Sequence, residues 1–303
     1  MNAQTASTTQ SKYVVPRFSE ADCRFSRYCL GLLASLGFVT VLSLVQSDAA
    51  LAATAPSLGS ESTYGVVSST FTNSNTAPQT IINGSVCYTT APVTPPLTIT
   101  GTTNVPCPPA TGVDQGLALA TLNGQPCTSL GAGAVALDSV SVGGNPPGVI
   151  PPGCYSSGGA MNVTVSTNVT LTGNGVYVFR PGGALNTGAN SNVLLANGAC
   201  ASDVFWAPVG ATTLGANAAL SPTPTFVGNI LDAAGITIGH FANLTGRALA
   251  FGGTVTTDAD TITVPPCAPF AGAGIPTLTE WAMVILAALL AIAGFAVIRR
   301  QTR

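Results

Sequence analysis

The sequence predicts an all-β chain wound as a β-solenoid, and three observations lead to this fold class. Charged residues are only 7% of the 303 residues while hydrophobic residues are 46%, a balance that argues against disorder. The 34 glycines and 22 prolines are typical of a chain with many turns. From about residue 160 onward, short apolar runs alternate with Gly-, Asn- and Pro-containing corners, and similar corners recur at intervals of roughly 20 residues.

The first 53 residues have the organisation of an export signal. A basic region precedes an apolar run over residues 29–45, and small residues follow, with an Ala50-Leu51-Ala52 cleavage pattern. This order predicts a signal helix that is removed after export. The alternative is an uncleaved anchor helix, because 17 apolar residues approach the length that spans a membrane.

Export changes what the cysteines indicate. Six cysteines remain in the predicted working domain, residues 54–270, and an oxidising compartment favours three disulfides among 15 possible pairings. No C-x-x-C motif occurs and His240 is the only histidine, so the pattern does not favour a zinc site. The candidate disulfide cysteines are Cys87, Cys107, Cys127, Cys154, Cys200 and Cys267.

Three segments of the N-terminal half of the domain have a predictable local structure. The stretches over residues 63–73 and 79–90 are strand-like. Residues 113–122 form the only plausible helix before the C-terminus, with Val113, Leu117 and Ala120 on one face. Asp114 is placed to favour the helix N-terminus.

The charge of the domain excludes nucleic acid as a partner. Between residues 54 and 270 two arginines stand against seven acidic residues, which gives a net charge of −5 without a single lysine. Binding to nucleic acid requires basic side chains that displace counterions from phosphates. We expect Arg180 and Arg247 to bind backbone carbonyl groups at strand ends instead.

The recurring corners carry the solenoid prediction. The sequences LGANAAL, IGHFANL and TTDADTI begin at Leu214, Ile238 and Thr256, and LNTGANSNV begins at Leu185. A solenoid requires such recurrence because one coil cannot bury its apolar side without stacked neighbours. A β-sandwich is the main alternative, although it would favour strands every 8–12 residues without a repeated corner.

The same segment resembles a known family. Residues 175–263 contain, in order, VYVF, NGAC, DVFW, a T-F-x-G-N-I-L run, ITIG and GRALA, and the resemblance extends more weakly back to about Ser57. These motifs are similar to those of the microbial ice-binding family of the DUF3494 type. The resemblance implies an irregular right-handed β-solenoid of triangular cross-section with one α-helix alongside, and ice as the binding partner.

The resemblance also implies a flat face of small residues that organises water against ice. Some members carry a T-A/G-x-T/N motif there, which the corner at residues 187–190 matches and the corner at 214–217 matches except for its first residue. Such quartets are also ordinary turn sequences. The candidate ice-binding residues are Thr187, Gly188, Ala189, Asn190, Thr213, Gly215, Ala216, Asn217, Thr237 and Thr257.

The residues offer little for catalysis. Asp258 and Asp260 are spaced as a carboxylate pair on one strand face, but no Gly-x-Ser-x-Gly turn and no metal-ligand cluster accompany them. We therefore expect no enzyme activity, no metal and no cofactor. The alternative to ice binding is a structural or adhesive protein of the cell surface, since a fold does not fix a function.

The C-terminal segment, residues 271–303, combines a motif, an apolar helix and a basic end. Residues 281–298 are uncharged and long enough to span a membrane, and the arginines that follow place this end in the cytoplasm. Together with the IPTLTEW stretch before it, the segment resembles the IPTL-type sorting signals that exosortase-like proteases process in Gram-negative bacteria. Apart from the signal peptide, it is the only expected membrane contact of an exported surface protein. The motif residues are Ile275, Pro276, Thr277, Leu278 and Trp281.

Overall fold

Short β-strands account for most of the described chain, which in this computed structural model covers residues 52–74, 77–91, 97–218, 225–266 and Ile285. Apart from residues 52, 53 and 285, the predicted signal segment and the predicted C-terminal segment lie outside the described residues. Among the described residues, no helix is long and apolar enough to cross a membrane. Helix α1 covers Pro109–Asn123, and short 3-10 helices cover Gly59–Thr63, Leu137–Ser139 and Ala201–Asp203.

The strands follow the corners closely, since nearly every Gly-, Asn- or Pro-containing stretch ends one strand and begins the next. In chain order they are β1 (Tyr64–Asn73), β2 (Thr80–Asn83), β3 (Ser85–Thr90), β4 (Leu97–Ile99), β5 (Thr103–Asn104), β6 (Thr128–Gly131), β7 (Val135–Ala136), β8 (Val149–Ile150), β9 (Gly153–Ser157), β10 (Met161–Val163), β11 (Asn168–Thr172), β12 (Tyr177–Pro181), β13 (Leu185–Thr187), β14 (Asn192–Ala196), β15 (Val204–Trp206), β16 (Thr212–Leu214), β17 (Phe226–Leu231), β18 (Ile236–Ile238), β19 (Asn243–Thr257) and β20 (Thr261–Thr263).

Successive coils stack in parallel and confirm the solenoid. Strands β9, β10 and β11 form one coil and β12, β13 and β14 the next, and each strand pairs with its equivalent 24 residues on. The stack therefore has three faces. We call the face of β7, β10, β13, β16, β18 and the ends of β19 and β1 the threonine face. We call the second the helix face, which contains β6, β9, β12, β15, β17, the middle of β19, the start of β1, β3 and β5. The third face contains β8, β11, β14, β20, β2 and β4.

The chain does not begin at the first coil of the stack. Strand β1 pairs with β19 on one side and β3 on the other, so the N-terminal strands are added beyond the last coil. The next coil in sequence starts with β6 at the opposite end, where it pairs with β9. Helix α1 connects the two ends, and its 15 residues span about 22 Å.

Aromatic side chains stack along the interior of the coils. Tyr155, Phe179, Trp206 and Phe226 come from successive coils, with ring centroids 5.6, 4.1 and 5.1 Å apart along the series. The indole N–H of Trp206 donates to the carbonyl of Val227 at 2.9 Å, so this buried polar group is satisfied. The stacking explains how apolar runs at coil spacing produce one continuous core.

Helix α1 is longer than predicted and buries the opposite face. It begins four residues earlier than expected because Pro109 is well tolerated in a first helical turn. Val113 and Leu117 are each 62% exposed, and the helix instead packs through Gln115, Ala118 and Leu122 among its buried residues. The buried face is set by hydrogen bonding as much as by hydropathy. This is why the apolar pattern was misleading.

Gln115 is the side chain that ties α1 to the solenoid. Its Nε2 donates to the carbonyl of Leu249 at 2.9 Å, and its Oε1 accepts from the backbone N–H of Phe251 at 2.8 Å. The helix also approaches closely at Gly112, where an added Cβ would lie 2.4 Å from the Phe251 ring. A glycine and an amide therefore fix how the helix sits on the helix face.

Disulfides hold both ends of the helical connection. Cys107, two residues before α1, is bonded to Cys87 in β3, and Cys127, shortly after α1, is bonded to Cys154 in β9. These two bridges confirm the predicted use of cysteines and supply pairings that the sequence left open. Cys200 is disulfide-bonded as well, and Cys267 lies outside the described residues.

Candidate functional site

One outward-facing position recurs through the threonine face. The strands of this face are in register at their central residue, whose side chain points away from the core because its neighbours on both sides point inward. The neighbours of Thr237, for example, are Ile236 and Ile238, each about 1% exposed. The row of central residues is Ala136, Asn162, Asn186, Thr213, Thr237, Thr256 and Thr72.

The row has an asparagine half and a threonine half. Asn186 donates from Nδ2 to Oδ1 of Asn162 at 3.1 Å. At the other end, the hydroxyl oxygens of Thr72 and Thr256 are 2.9 Å apart and share a hydrogen bond. Thr213 and Thr237, in the middle, are exposed. Neighbouring strands are about 4.8 Å apart, so the row presents small polar groups at that regular spacing.

A second row lies beside the central row. Its members are two residues earlier along each strand, where alternation again directs side chains outward. Thr70 and Thr254 are paired in this row, beside Thr72 and Thr256. The other positions are four alanines, which are exposed or half-buried, and the buried Gly235. The alanines are Ala134, Ala160, Ala184 and Ala211.

The predicted corner quartets form one edge of this face. Asn190 adopts φ of 56°, and its Oδ1 accepts a hydrogen bond from the N–H of Ala218 at 2.8 Å in the next coil. The hydroxyl of Thr187 accepts from the N–H of Gly215 at 2.9 Å. A Cβ on Gly188 would lie 2.5 Å from the backbone of Val165 in the preceding coil. The recurring motif is therefore explained by tight stacking of corners.

The predicted candidates therefore fall into three groups. Thr213 and Thr237 lie in the exposed central row. Thr257 is fully buried, where its hydroxyl donates to Oδ1 of Asn73 at 3.0 Å. The remaining candidates, residues 187–190 and 215–217, lie at the corner.

Sequence reasoning did not select five of the seven members of the central row, Thr72, Ala136, Asn162, Asn186 and Thr256. The available signal was the alternation of Thr70-Phe71-Thr72 and Thr254-Val255-Thr256, in which a buried residue separates two outward threonines. The corner motif is more conspicuous in the sequence than this alternation.

Comparisons with known proteins identify the family of this chain. A family model described as Ice-binding-like matches residues 57–263, more than two thirds of the chain. The chain belongs to the Ice-binding-like family. The resemblance over residues 175–263 and its extension back to Ser57 are thereby confirmed. A second model, the IPTL-CTERM motif, matches residues 273–301, which confirms the sorting motif.

Individual ice-binding proteins are similar to this chain over part of their length. The chain is 32% identical over 137 residues to an ice-binding protein of Flavobacterium frigoris, and 36% identical over 110 residues to ice-binding protein 1 of Shewanella frigidimarina. These alignments cover 45% and 34% of this chain, and 44% and 12% of the relatives. The chain thus spans less than half the length of these relatives.

Solved structures share the fold. An ice-binding protein of the Antarctic ascomycete Antarctomyces psychrotrophicus superimposes with a TM-score of 0.54 and 26% identity, over 70% of this chain and 98% of that one. An ice-binding protein from an Antarctic biological consortium gives a TM-score of 0.58 and 24% identity, over 71% and 93% of the two chains.

The acidic residues near the site have hydrogen-bond or ion-pair partners within the protein. Asp260 is fully buried and accepts from the N–H of Asp258 at 2.7 Å, and burial raises its pKa to about 9. Asp258 lies 3.3 Å from Nδ1 of His240 at the corner. Burial also raises the pKa of Asp232, which accepts from the hydroxyl of Thr212. In the described part of the chain, no group of three His, Cys, Asp or Glu residues could hold a metal ion.

The two arginines bind backbone carbonyl groups as predicted, but the acceptors lie after α1 and in a 3-10 helix and not at strand ends. Arg180 donates from Nη1 to the carbonyl of Gln125 at 2.8 Å, just after α1. Arg247 donates from Nε and Nη2 to the carbonyl of Ser62 at 3.0 and 2.6 Å. Both therefore tie backbone segments to the helix face.

Proposed function

We propose that this protein binds ice through the threonine face and catalyses no reaction. The observation that carries the proposal is the in-register row of Thr213, Thr237, Thr256 and Thr72 in a chain of the Ice-binding-like family. The relatives named above are ice-binding proteins, which supports the same partner for this chain.

The physical basis of adsorption is the repetition of weak contacts. Each threonine offers a hydroxyl and a methyl group, and waters held between such groups at regular spacing join the outer layer of an ice crystal. A stacked solenoid keeps these groups on a stiff, flat surface, because stacking is what holds a β-sheet flat. Once bound, the protein forces the ice front to curve between adsorbed molecules, and this slows growth.

The predicted corner residues take a supporting part in this proposal. Gly188, Ala189, Gly215 and Ala216 border the threonine face and leave its edge free of bulky side chains over two coils. Asn190 and Thr187 hold neighbouring coils together through the corner hydrogen bonds. The contact surface is therefore the central row, and the corner determines how well the row stays in register.

The second candidate function is a structural or adhesive role at the cell surface, which the IPTL-CTERM match favours. An assay with a purified protein of residues 54–270 separates the two. We expect shaped ice crystals and slowed recrystallisation at micromolar protein, with an unrelated protein of similar size as the control. Crystals that stay round and coarsen at the control rate would exclude ice binding and leave the structural role.

The route of the chain to the surface is a separate proposal. The signal peptide, residues 1–53, would be removed on export from a Gram-negative cell, and an exosortase-like protease would cut the tail of residues 271–303. The helix over residues 281–298 would anchor the chain only until that cut. Intact-mass measurement of released protein tests this, since a released chain that retains Trp281 to Arg303 would contradict the proposal.

A further inference from the structure

A cleft of about 490 Å³ lies on the helix face, away from the threonine face. The N-terminal segment, through residues 55–59 and Ser62, lines one side, and the solenoid lines the other through Ser202, Phe205 and Arg247. The lining is mostly apolar, and its size is within the roughly 300–1,000 Å³ typical of small-molecule sites.

Arg247 is the charged group of this cleft. The side chain is only 8% exposed, and burial lowers the pKa of its guanidinium from the usual value. Nε and Nη2 donate to Ser62, and Nη1 donates to Oδ1 of Asn229 at 2.7 Å. A guanidinium has five N–H donors, so one donor on each of Nη1 and Nη2 has no partner in the described part of the chain.

The cation also lacks a counter-charge. Among the described residues no carboxylate lies within salt-bridge distance of Arg247, and Glu61, which precedes the acceptor Ser62 in the chain, is buried without a hydrogen-bond partner for either oxygen. An unpaired buried charge is costly in a protein interior, and an anion that enters the cleft would compensate it. Planar carboxylates match the paired N–H groups of arginine especially well.

We propose that this cleft binds a small organic carboxylate with an apolar body. The carboxylate accepts hydrogen bonds from the remaining N–H groups of Arg247, and the apolar body lies against Phe205 and Leu58. The site is independent of ice binding, because it lies on the helix face and shares no residue with the central row.

Titration of the full chain with benzoate tests the charge requirement. Benzamide serves as the matched uncharged probe. Ligand-observed NMR or calorimetry measures the affinity of both probes, and a titration into detergent without protein serves as the blank. We expect benzoate to bind at least about tenfold more tightly than benzamide, the difference of one charge-assisted contact. Equal affinity for the two probes, or no binding of benzoate at millimolar concentration, would overturn the proposal.

Two neighbouring substitutions locate the site. Ala55→Trp fills the cleft from a residue that lines it, whereas Thr54→Trp changes an exposed residue that does not. Neither touches the hydrogen bonds of Arg247, and since Ala55 also packs against the second core, circular dichroism and thermal denaturation first establish that each variant folds. We expect Ala55→Trp to abolish benzoate binding and Thr54→Trp to retain it. Unchanged binding in Ala55→Trp would place the carboxylate elsewhere and contradict the assignment.

Discussion

The threonine face and the helix face are built from the same coils, yet the molecule uses them in opposite ways. On the threonine face the outward residues are small and polar, and Thr213 and Thr237 are exposed. On the helix face the equivalent outward residues are large and apolar, such as Val178 and Phe205, and they pack in a second core with α1. Inside, both faces contribute to the same stack of coils.

The difference shows what determines whether a solenoid face is covered or exposed. Backbone pairing and inward residues determine that coils stack, and they are alike on the two faces. The outward residues then determine whether a face needs a cover. Apolar outward residues require one, and the chain provides α1, two disulfides and Gln115. Threonine and asparagine require none, so that surface stays available to a partner.

The largest expected effect comes from breaking the threonine face. The double substitution Thr213→Tyr and Thr237→Tyr places two rings in the middle of the row, and we expect ice activity to fall at least about tenfold, the effect of losing central contacts. The melting temperature should change little, because both side chains are exposed. Recrystallisation assays and thermal denaturation measure the two quantities.

Two further tyrosines determine whether the face is correctly assigned. Thr98→Tyr, on the exposed third face, is the control and should retain activity. Ala189→Tyr alters the exposed corner and should reduce activity less than the double substitution. Activity that survives the double substitution but is lost with Ala189→Tyr would move the contact surface to the corner quartets.

The sequence predicted the stack better than it predicted the surface. Coil recurrence identified the solenoid, because buried residues such as Leu185 and Ile236 repeat with the corners. Coil recurrence did not show that the N-terminal strands lie beyond the last coil, since β1 pairs with β19 through residues such as Val66 and Ala248, which are 248 − 66 = 182 positions apart. Only Thr213 and Thr237 of the seven residues in the central row were predicted, because a row across coils depends on register, and corners of different length conceal register in the sequence.

The helix illustrates a second limit of the sequence. Val113 and Leu117 suggested the packed face, but the side chain that ties α1 to the solenoid is Gln115, whose amide matches one carbonyl and one N–H of β19. Hydropathy does not register such a match. The disulfide pairings could not be predicted from the sequence either, because they depend on which strands lie beside the two ends of α1.

On the helix face, the largest effect on stability should come from a change of pH. Glu61 is fully buried beside α1, and burial, assisted by the charge of Asp114, raises its pKa from 4.5 to about 8. Between these values the native state keeps a proton that the unfolded chain has released, so stability falls as pH rises. We expect a loss of a few kcal/mol from pH 5 to pH 8. Asp260, whose pKa is also raised, adds to the slope.

Glu61→Gln isolates the contribution of this carboxyl. The variant should be about as stable as the parent at pH 5 and more stable at pH 8, since the amide has no proton to lose. Urea denaturation of residues 54–270 at both pH values gives the comparison. A constant difference between the two proteins across this range would contradict the raised pKa.

A somewhat smaller loss should follow removal of one disulfide. Replacing Cys127 and Cys154 by serine opens a bridge that spans 27 residues, which corresponds to about 3 kcal/mol of stability. Ice activity per folded molecule should be retained, because neither cysteine lies on the threonine face. Denaturation with and without reductant measures the effect, and the double serine chain should no longer respond to reductant at this bridge.

The smallest expected effect is loss of the Gln115 amide. Gln115→Ala leaves the carbonyl of Leu249 and the N–H of Phe251 without their side-chain partner, and we expect a cost of about 2 kcal/mol. Gln125→Ala is a useful comparison, because that amide also bonds a backbone N–H and carbonyl, those of Thr54, but at an exposed position, where water replaces it. If the two substitutions cost the same, burial of Gln115 does not strengthen the attachment of α1 to the solenoid. The helix is then held on the helix face by the disulfides and apolar packing alone.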